Sequence, residues 1–442
     1  MKTGIRLIAQ HYDISTGDVL DESLINEENV TKAETLKELG YLHVDQIEFL
    51  QKIQDFKIKH QIILNTHNTC PVCQAKTAKN SQFISDFHSA LTDHRVQVQR
   101  TMCKCGWNSP TSVVGIYGSD LHPDLLEKQA LQGAKESFEK ASQTLNAESA
   151  KKRPINNHSR IFKSVKQIGE CLEIVKINNT YIPSKITPSH TIVAAIDGGH
   201  VKERGDKRSF EAMVANVYNP LNLRVANKNH NKLTSKTIVA SAKEDKQDTM
   251  KKLFKVACLT QGMTKETHVV CLADRAENCW SIAQVIKDDC KEHTFILDWF
   301  HISMKFKNIS IPEAYEDIYE RAKWNLWNGQ VAKSIKRLIE IRDKIEDDVV
   351  VNKIMKLMTY IDNNKKNIVN YDERKNNGLV FTSNQAEGTV NTLINTRQKG
   401  KQKMLWSREG AHNVLQIRSS ILSDSWKNDW RKVEAQIYKK AA

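Results

Sequence analysis

Apolar residues recur mostly at three- and four-residue intervals over Leu36, Leu39, Val44, Ile47, Leu50 and Ile53, which predicts a helical region over residues 1 to about 60 that buries one face. The same period returns from Pro123 to about Val175. Leu125, Leu126, Ala130 and Leu131 mark one short helix, Ala134 to Leu145 a second, and Asn156-Asn157 caps a third. On that third helix Ile161, Val165, Ile168 and Leu172 form the inward stripe, while Ser159, Arg160, Lys163, Lys166 and Gln167 face away. The pattern then changes. Thr191 to Ile196 is a run of six uncharged residues ended by Asp197 and two glycines, the signature of a buried strand. Further strands are predicted at Ser209 to Tyr218, Lys236 to Ala242, His268 to Ala273 and His293 to Leu297, with helices at about Lys246 to Leu259 and Glu277 to Lys287. From about 301 to 379 the period is helical again, through Ile318, Ala322, Leu326, Leu338, Ile354 and Ile361.

Three strands in meander, then helix, strand, helix, strand, is the order of an RNase H-like mixed sheet. That order predicts an α/β multidomain chain. Its expected parts are an N-terminal helical region (1–60), a zinc ribbon (65–110), a helix-turn-helix (120–180), a catalytic core (190–300 and 380–400), a helical insertion (301–379) and a basic C-terminal helical region (401–442). Trp324 and Trp327 are read as core of the insertion.

Charge narrows the partners. Lys and Arg total 66 against 52 Asp and Glu, a net +14. From Asn391 to Ala442 eleven cations face four acids, so half the surplus lies in the last 52 residues. A polyanion such as DNA suits this balance. No stretch has the length and apolarity of a membrane span, and the first residues lack the apolar core of a secretory signal. A soluble protein of the cytoplasm is therefore expected.

Nine cysteines without a signal segment argue for reduced thiols. Cys70-Pro-Val-Cys73 and Cys103-Lys-Cys105 are two close pairs separated by 29 residues, a spacing for structural Zn²⁺ held by four thiolates. Either His88 or His94 is an alternative ligand.

The other chemistry lies in carboxylates. The first strand of the core is central and the fourth lies beside it, so their carboxyl ends would bring Asp197 and Asp274 together. Downstream, Ser383 is a plausible helix N-cap, and Asn384, Glu387 and Asn391 share one helical face. Carboxylates on a rigid frame suit two Mg²⁺ or Mn²⁺ ions, which prefer hard oxygen ligands and drive phosphodiester chemistry.

Together, Ile196-Asp197-Gly198, Leu272-Ala-Asp274-Arg275, Ile296-Leu-Asp298-Trp-Phe-His301 and Ser383-Asn-Gln-Ala-Glu387-Gly, followed by Asn391, Arg397, Trp406 and Gly410-Ala411, resemble the DDE transposases of bacterial insertion sequences, in the branch with an N-terminal zinc ribbon and helix-turn-helix. The likeness covers most of the chain from about residue 65. It implies a metal-binding triad of Asp197, Asp274 and Glu387, with Asp298 and His301 as secondary site residues. Asp298 would hold metal or position the insertion; His301 would hydrogen-bond phosphate. Relatives often have glycine where this chain has Arg275. The resemblance also implies transposon ends and target DNA as partners, and at least a homodimer at the synapsis of two ends.

Past Glu387, Arg397, Lys399, Lys401 and Lys403 surround one glycine and suit phosphates, with Trp406 placed to stack on an unpaired base or to pack in a core. Arg160, Lys163 and Lys166 are the matching candidates on the helix-turn-helix. The rival readings are a transposase-derived DNA-binding protein without activity and a nuclease of the same fold.

Overall fold

The computed structural model describes residues 2–64, 67–149, 152–178, 186–205, 208–227, 230–274, 277–383, 388–399 and 405–438. The chain is mixed α/β and forms two compact units, Met1–Ile168 with Trp430–Ala442, and Gly169–Asp429.

The first unit opens on a correction. Residues 3–30 are not helical: β1 (Thr3–Tyr12) and β2 (Val19–Val30) form an antiparallel hairpin. Its turn runs through Gly17 at φ 78°, where Asp13 Oδ1 accepts from the N–H groups of Ser15 and Thr16. Helix α1 (His43–Leu64) follows, and of the six residues read as its inward stripe only Ile47 is buried; Leu36, before the helix, is 88% exposed. Ile58 and Ile62 instead pack with Val96 and Phe87. β3 (Ala78–His88) and β4 (Asp93–Met102) form a second hairpin, and His94, Val96 and Val98 alternate inward on β4 as a strand requires.

Next come α2 (Val113–Tyr117), α3 (Pro123–Lys135), α4 (Phe138–Ala147) and α5 (His158–Asn178). Asn157 caps α5 by accepting from Arg160 N–H at 2.9 Å. The stripe Ile161, Val165, Ile168 and Leu172 is buried as expected, and Ser159, Lys163 and Gln167 are exposed. Arg160 lies 3.7 Å from Asp120, and Lys166 is half-buried. Arg153 belongs to the core. Its guanidinium donates to Asp93 Oδ1 and to the carbonyls of Ala90 and Thr92, tying the approach to α5 onto the β3–β4 turn.

The second unit is built on β5 (Thr191–Lys202), β6 (Ser209–Tyr218), the small hairpin β7 (Leu223–Asn227) and β8 (His230–Leu233), β9 (Thr237–Ser241), α6 (Asp248–Thr260), β10 (His268–Ala273), α7 (Glu277–Ala283) and β11 (Glu292–Leu297). The sheet order is β11-β10-β5-β6-β9, with β11, β10 and β5 parallel, β6 antiparallel to β5 and β9 antiparallel to β6. One face packs on α6 and α7, where Ile192, Ala194 and Ile196 of β5 join Phe254 and Ile282 in one core. The other packs on a helical block through Val193, Tyr218, Val270 and Leu272.

That block is α8 (Trp299–Lys307), α9 (Glu316–Trp327), α10 (Val331–Arg342), α11 (Asp348–Asn363) and α12 (Tyr371–Asn376). Trp327 packs against Trp299 and Tyr371, whereas Trp324, read as core, is half exposed. Short helices α13 (Gly388–Val390) and α14 (Thr396–Gln398) flank a π-helical turn at Asn391–Asn395. Helix α15 (Arg408–Leu422) lies in the expected C-terminal helical region; it is largely buried and packs on β9. Helix α16 (Trp426–Ile437) ends the described chain.

Candidate metal and phosphodiester site

Parallel register makes the carboxylate cluster. Ile196 on β5 pairs with Ala273 on β10, and Ala273 pairs with Leu297 on β11. The next residues are Asp197, Asp274 and Asp298, so three acids leave three adjacent strands at one level. The sequence placed the first two side by side; register adds the third.

β5 does not stop at its glycines. It continues to Lys202, paired only with β6. The glycines serve close approach: a Cβ at Gly198 would lie 2.3 Å from Glu211 Oε1, and one at Gly199 would lie 2.6 Å from Ile394 Cδ1. Asp197 thus sits where the parallel half of the sheet ends and a two-stranded ribbon continues.

Asp197 is half-buried, and its Oδ1 accepts from Gly198 N–H at 2.7 Å. Burial raises its carboxyl above the usual range, and the charges of Asp274 and Asp298 add to this; the Gly198 N–H and His301 oppose it. Such a carboxylate gains from a nearby cation. The Cys279 thiol on α7 is pushed up by burial and then by Asp274, Asp197 and Glu211, which puts the Glu211 carboxylate within electrostatic reach of the same cluster. Asn278 donates to Glu211 Oε2 at 2.7 Å.

Asp298 has a different job. It is 1% exposed, accepts from Phe300 N–H as the N-cap of α8, and accepts from both the N–H and the hydroxyl of Ser383. Three hydrogen bonds to its two oxygens fasten α8 and the returning chain to it. Ser383 turns its hydroxyl to Asp298. His301 Nε2 lies 3.8 Å from Asp298 Oδ2. With Asp197, Asp298, Ser383 and Thr389, His301 lines a cavity of about 40 Å³.

Asn216, on β6 opposite Ala195, also lines that cavity. Its amide donates to Thr389 Oγ1 at 3.0 Å, while its Oδ1 is buried without a partner among the described residues. Neither Asn216 nor Glu211 stood out in the sequence. The signal was available, since both are polar residues inside a strand of otherwise apolar character.

Glu387 and Asn384 lie outside the described residues, as do Lys401, Lys403 and Arg275. Asn391 and Lys399 are exposed. Arg397 and Trp406 are corrections as DNA contacts, at 3% and 4% exposure. Trp406 is sewn to the end of β5 by its N–H to Lys202 O and its carbonyl from Arg204 N–H, and the Arg397 guanidinium covers its ring at 4.7 Å.

The cysteines form a separate centre in the first unit. Cys70 and Cys73 sit on a turn closed by Cys70 N–H to Ala75 O, and Cys103 and Cys105 on one closed by Gly106 N–H to Cys103 O. Cys70 and Cys105 Sγ are 3.6 Å apart, Cys73 and Cys103 Sγ are 3.3 Å apart, and all four lie within 4.8 Å of one another. A tetrahedral ion with bonds of about 2.3 Å spaces its sulfurs at roughly 3.8 Å, so the set fits a metal such as zinc. The histidines are not needed. His88 pairs with Asp93 at 2.7 Å, and His94 is held by Asp55 and Ser89.

Among the described residues no helix is long and apolar enough to cross a membrane. No protein-family model matches the chain, and no curated protein matches it significantly.

Proposed function

We propose that this chain is a DDE-type DNA transposase that binds the terminal inverted repeats of its own element, cuts the backbone with water and joins the freed 3'-hydroxyl to target DNA. The observation that carries the reading is the register of β5 on β10, whose last parallel pair, Ile196 with Ala273, is followed on the two chains by Asp197 and Asp274. The sheet order supports an RNase H-like core, and the four clustered thiols support a structural zinc ribbon ahead of a helix-turn-helix.

In this reading Asp197, Asp274 and Glu387 hold Mg²⁺ or Mn²⁺. The ions would supply activation of the attacking oxygen and stabilisation of the leaving one. The raised Asp197 carboxyl fits that group, because a cation offsets first the cost of burying its charge and then the repulsion of Asp274 and Asp298. Asp298 fixes the level at which α8 and the returning chain approach, and His301 faces the same cavity as a donor toward a phosphate oxygen. The partners are transposon ends and target DNA, with a homodimer or larger assembly for paired ends, acting at the nucleoid.

The test is purified protein with Mg²⁺ or Mn²⁺ and DNA carrying candidate ends. Cleavage and joining are expected from the parent, and loss of both from Asp197→Asn, Asp274→Asn and Glu387→Gln. Parental activity in those variants would sink the assignment.

A further inference from the structure

A groove of about 270 Å³ runs between α8 and α11, lined by Lys305, Asn308, Lys353, Lys356, Leu357 and Tyr360. The three lysines are exposed at their heads, and the Lys305 ammonium rests 4.3 Å above the Tyr360 ring. The lining of the groove holds no Asp or Glu; α11 carries its two acids at its ends, Asp348 and Asp362, and Asp362 pairs with Lys365. Among the described residues none of the three forms an ion pair. Three like charges lining one concave surface make it attractive to an anion, which would offset their repulsion.

Helix-end electrostatics accounts for only part of this. Lys305 and Lys307 lie in the last turn of α8, where cations favour the helix dipole. Lys353 and Lys356 lie inside the sixteen-residue α11, away from its C-terminal turn, and gain nothing from that dipole.

The groove is also aligned with the carboxylates. α8 starts at its cap Asp298, and His301 lines the cavity beside Asp197. Lys305 is four residues beyond His301, on the same helix face, and Asn308 three beyond that. The helix advances about 6 Å from His301 to Lys305, roughly two nucleotides of a B-form strand at about 3.4 Å each. Polar donors therefore line one face from the acids to the lysines.

We propose that the α8–α11 groove binds backbone phosphates of the DNA strand that carries the reacting phosphodiester, with Lys305, Lys353 and Lys356 as the phosphate contacts. The inference rests on the DNA-processing reading of the carboxylate site, and names where its substrate strand is held. Because the contacts are charge contacts to backbone, they are indifferent to base sequence.

The experiment is fluorescence anisotropy of a labelled 30-bp duplex, without divalent metal, across a series of KCl concentrations. The full chain is compared with the triple variant Lys305→Gln/Lys353→Gln/Lys356→Gln and with Lys333→Gln/Lys336→Gln on α10 as a charge control. Thermal melting checks that each is folded. Loss of three phosphate contacts is expected to weaken binding by about tenfold or more and to make the slope of log K against log salt shallower by about 2.7. The control should move neither by as much. In single-turnover cutting, the triple variant should need more DNA for half-maximal rate while reaching the parent rate at saturation. Parental affinity and slope in the triple variant overturn the groove, as does a parent protein that binds no duplex. Failure of the carboxylate reading shows separately, as cleavage that survives Asp197→Asn.

Discussion

Asn216 and Thr389 are 173 residues apart, and a 3.0 Å hydrogen bond between their side chains joins β6 to the start of α13. On the other side of residues 384–387, Ser383 is held by Asp298 across 85 residues. The described residues that bracket Glu387 are thus each fastened to the sheet that carries Asp197 and Asp274. A site assembled from distant segments depends on such fastenings, since a shift of about 1 Å in a reacting group costs on the order of 100-fold in rate.

Asn216→Ala is therefore expected to reduce single-turnover cleavage by about 10- to 100-fold with little loss of stability. The substitution removes one hydrogen bond, but it also removes a buried acceptor that has no partner among the described residues, and the two effects nearly offset, leaving about 1 kcal/mol. Parallel measurement of cleavage and urea unfolding decides it. A drop in rate that merely tracks unfolding would make Asn216 a packing residue.

Asp298 separates positioning from metal binding. Asp298→Ala removes the α8 cap and both bonds to Ser383, for a loss of about 2–4 kcal/mol. Asp298→Asn keeps an oxygen for the cap and presents an amide to the Ser383 hydroxyl, which can turn to accept. The asparagine variant should lose only about 1 kcal/mol and keep measurable cleavage, unlike Asp197→Asn. Equal inactivation of Asp298→Asn and Asp197→Asn, with stability retained, would make Asp298 a ligand instead.

The parallel core was legible because each strand was a short apolar run with a turn or an acid at its end, and the adjacency of Asp197 and Asp274 followed from strand order. What was hidden depended on the third dimension. The two glycines after Asp197 read as a stop, but β5 runs through them to Lys202, and the side chains of Glu211 and Ile394 approach them from other elements. Trp406 beside a basic run suits base stacking and core packing equally until its main chain is seen bonded to β5. The N-terminal hairpin was missed because the helical period of residues 36–53 was extended back over a segment that lacks it.

Metal analysis of the purified chain should find about one zinc per chain. Strong chelation, or Cys73→Ser, should remove it and unfold the first unit, because a structural zinc site contributes its binding energy to folding. Limited proteolysis would then cut within residues 67–110 while the sheet of the second unit stays protected. A metal-free preparation with the same protection as the parent would refute the centre.

Outside the acid cluster, a half-buried glutamate is paired with a buried histidine and an exposed lysine, and this sets the acid stability. Glu173 on α5 lies 2.6 Å from His412 Nε2 and 2.5 Å from Lys243 Nζ. Burial alone would raise its carboxyl, but the hydrogen bonds and charges of His412 and Lys243 bring it from 4.5 down to about 2. A carboxyl depressed in the folded state stabilises the fold above its unfolded pKa, and that contribution is lost as pH falls through the folded one. The window is therefore between about pH 5 and pH 2, and the contribution is on the order of 3 kcal/mol. Glu173→Gln should unfold more readily than the parent at pH 7, and the gap should close as the pH approaches 2. Urea titrations of both proteins across that range measure the gap directly. A difference that stays constant from pH 7 to pH 2.5 would show that Glu173 acts through packing and not through its charge.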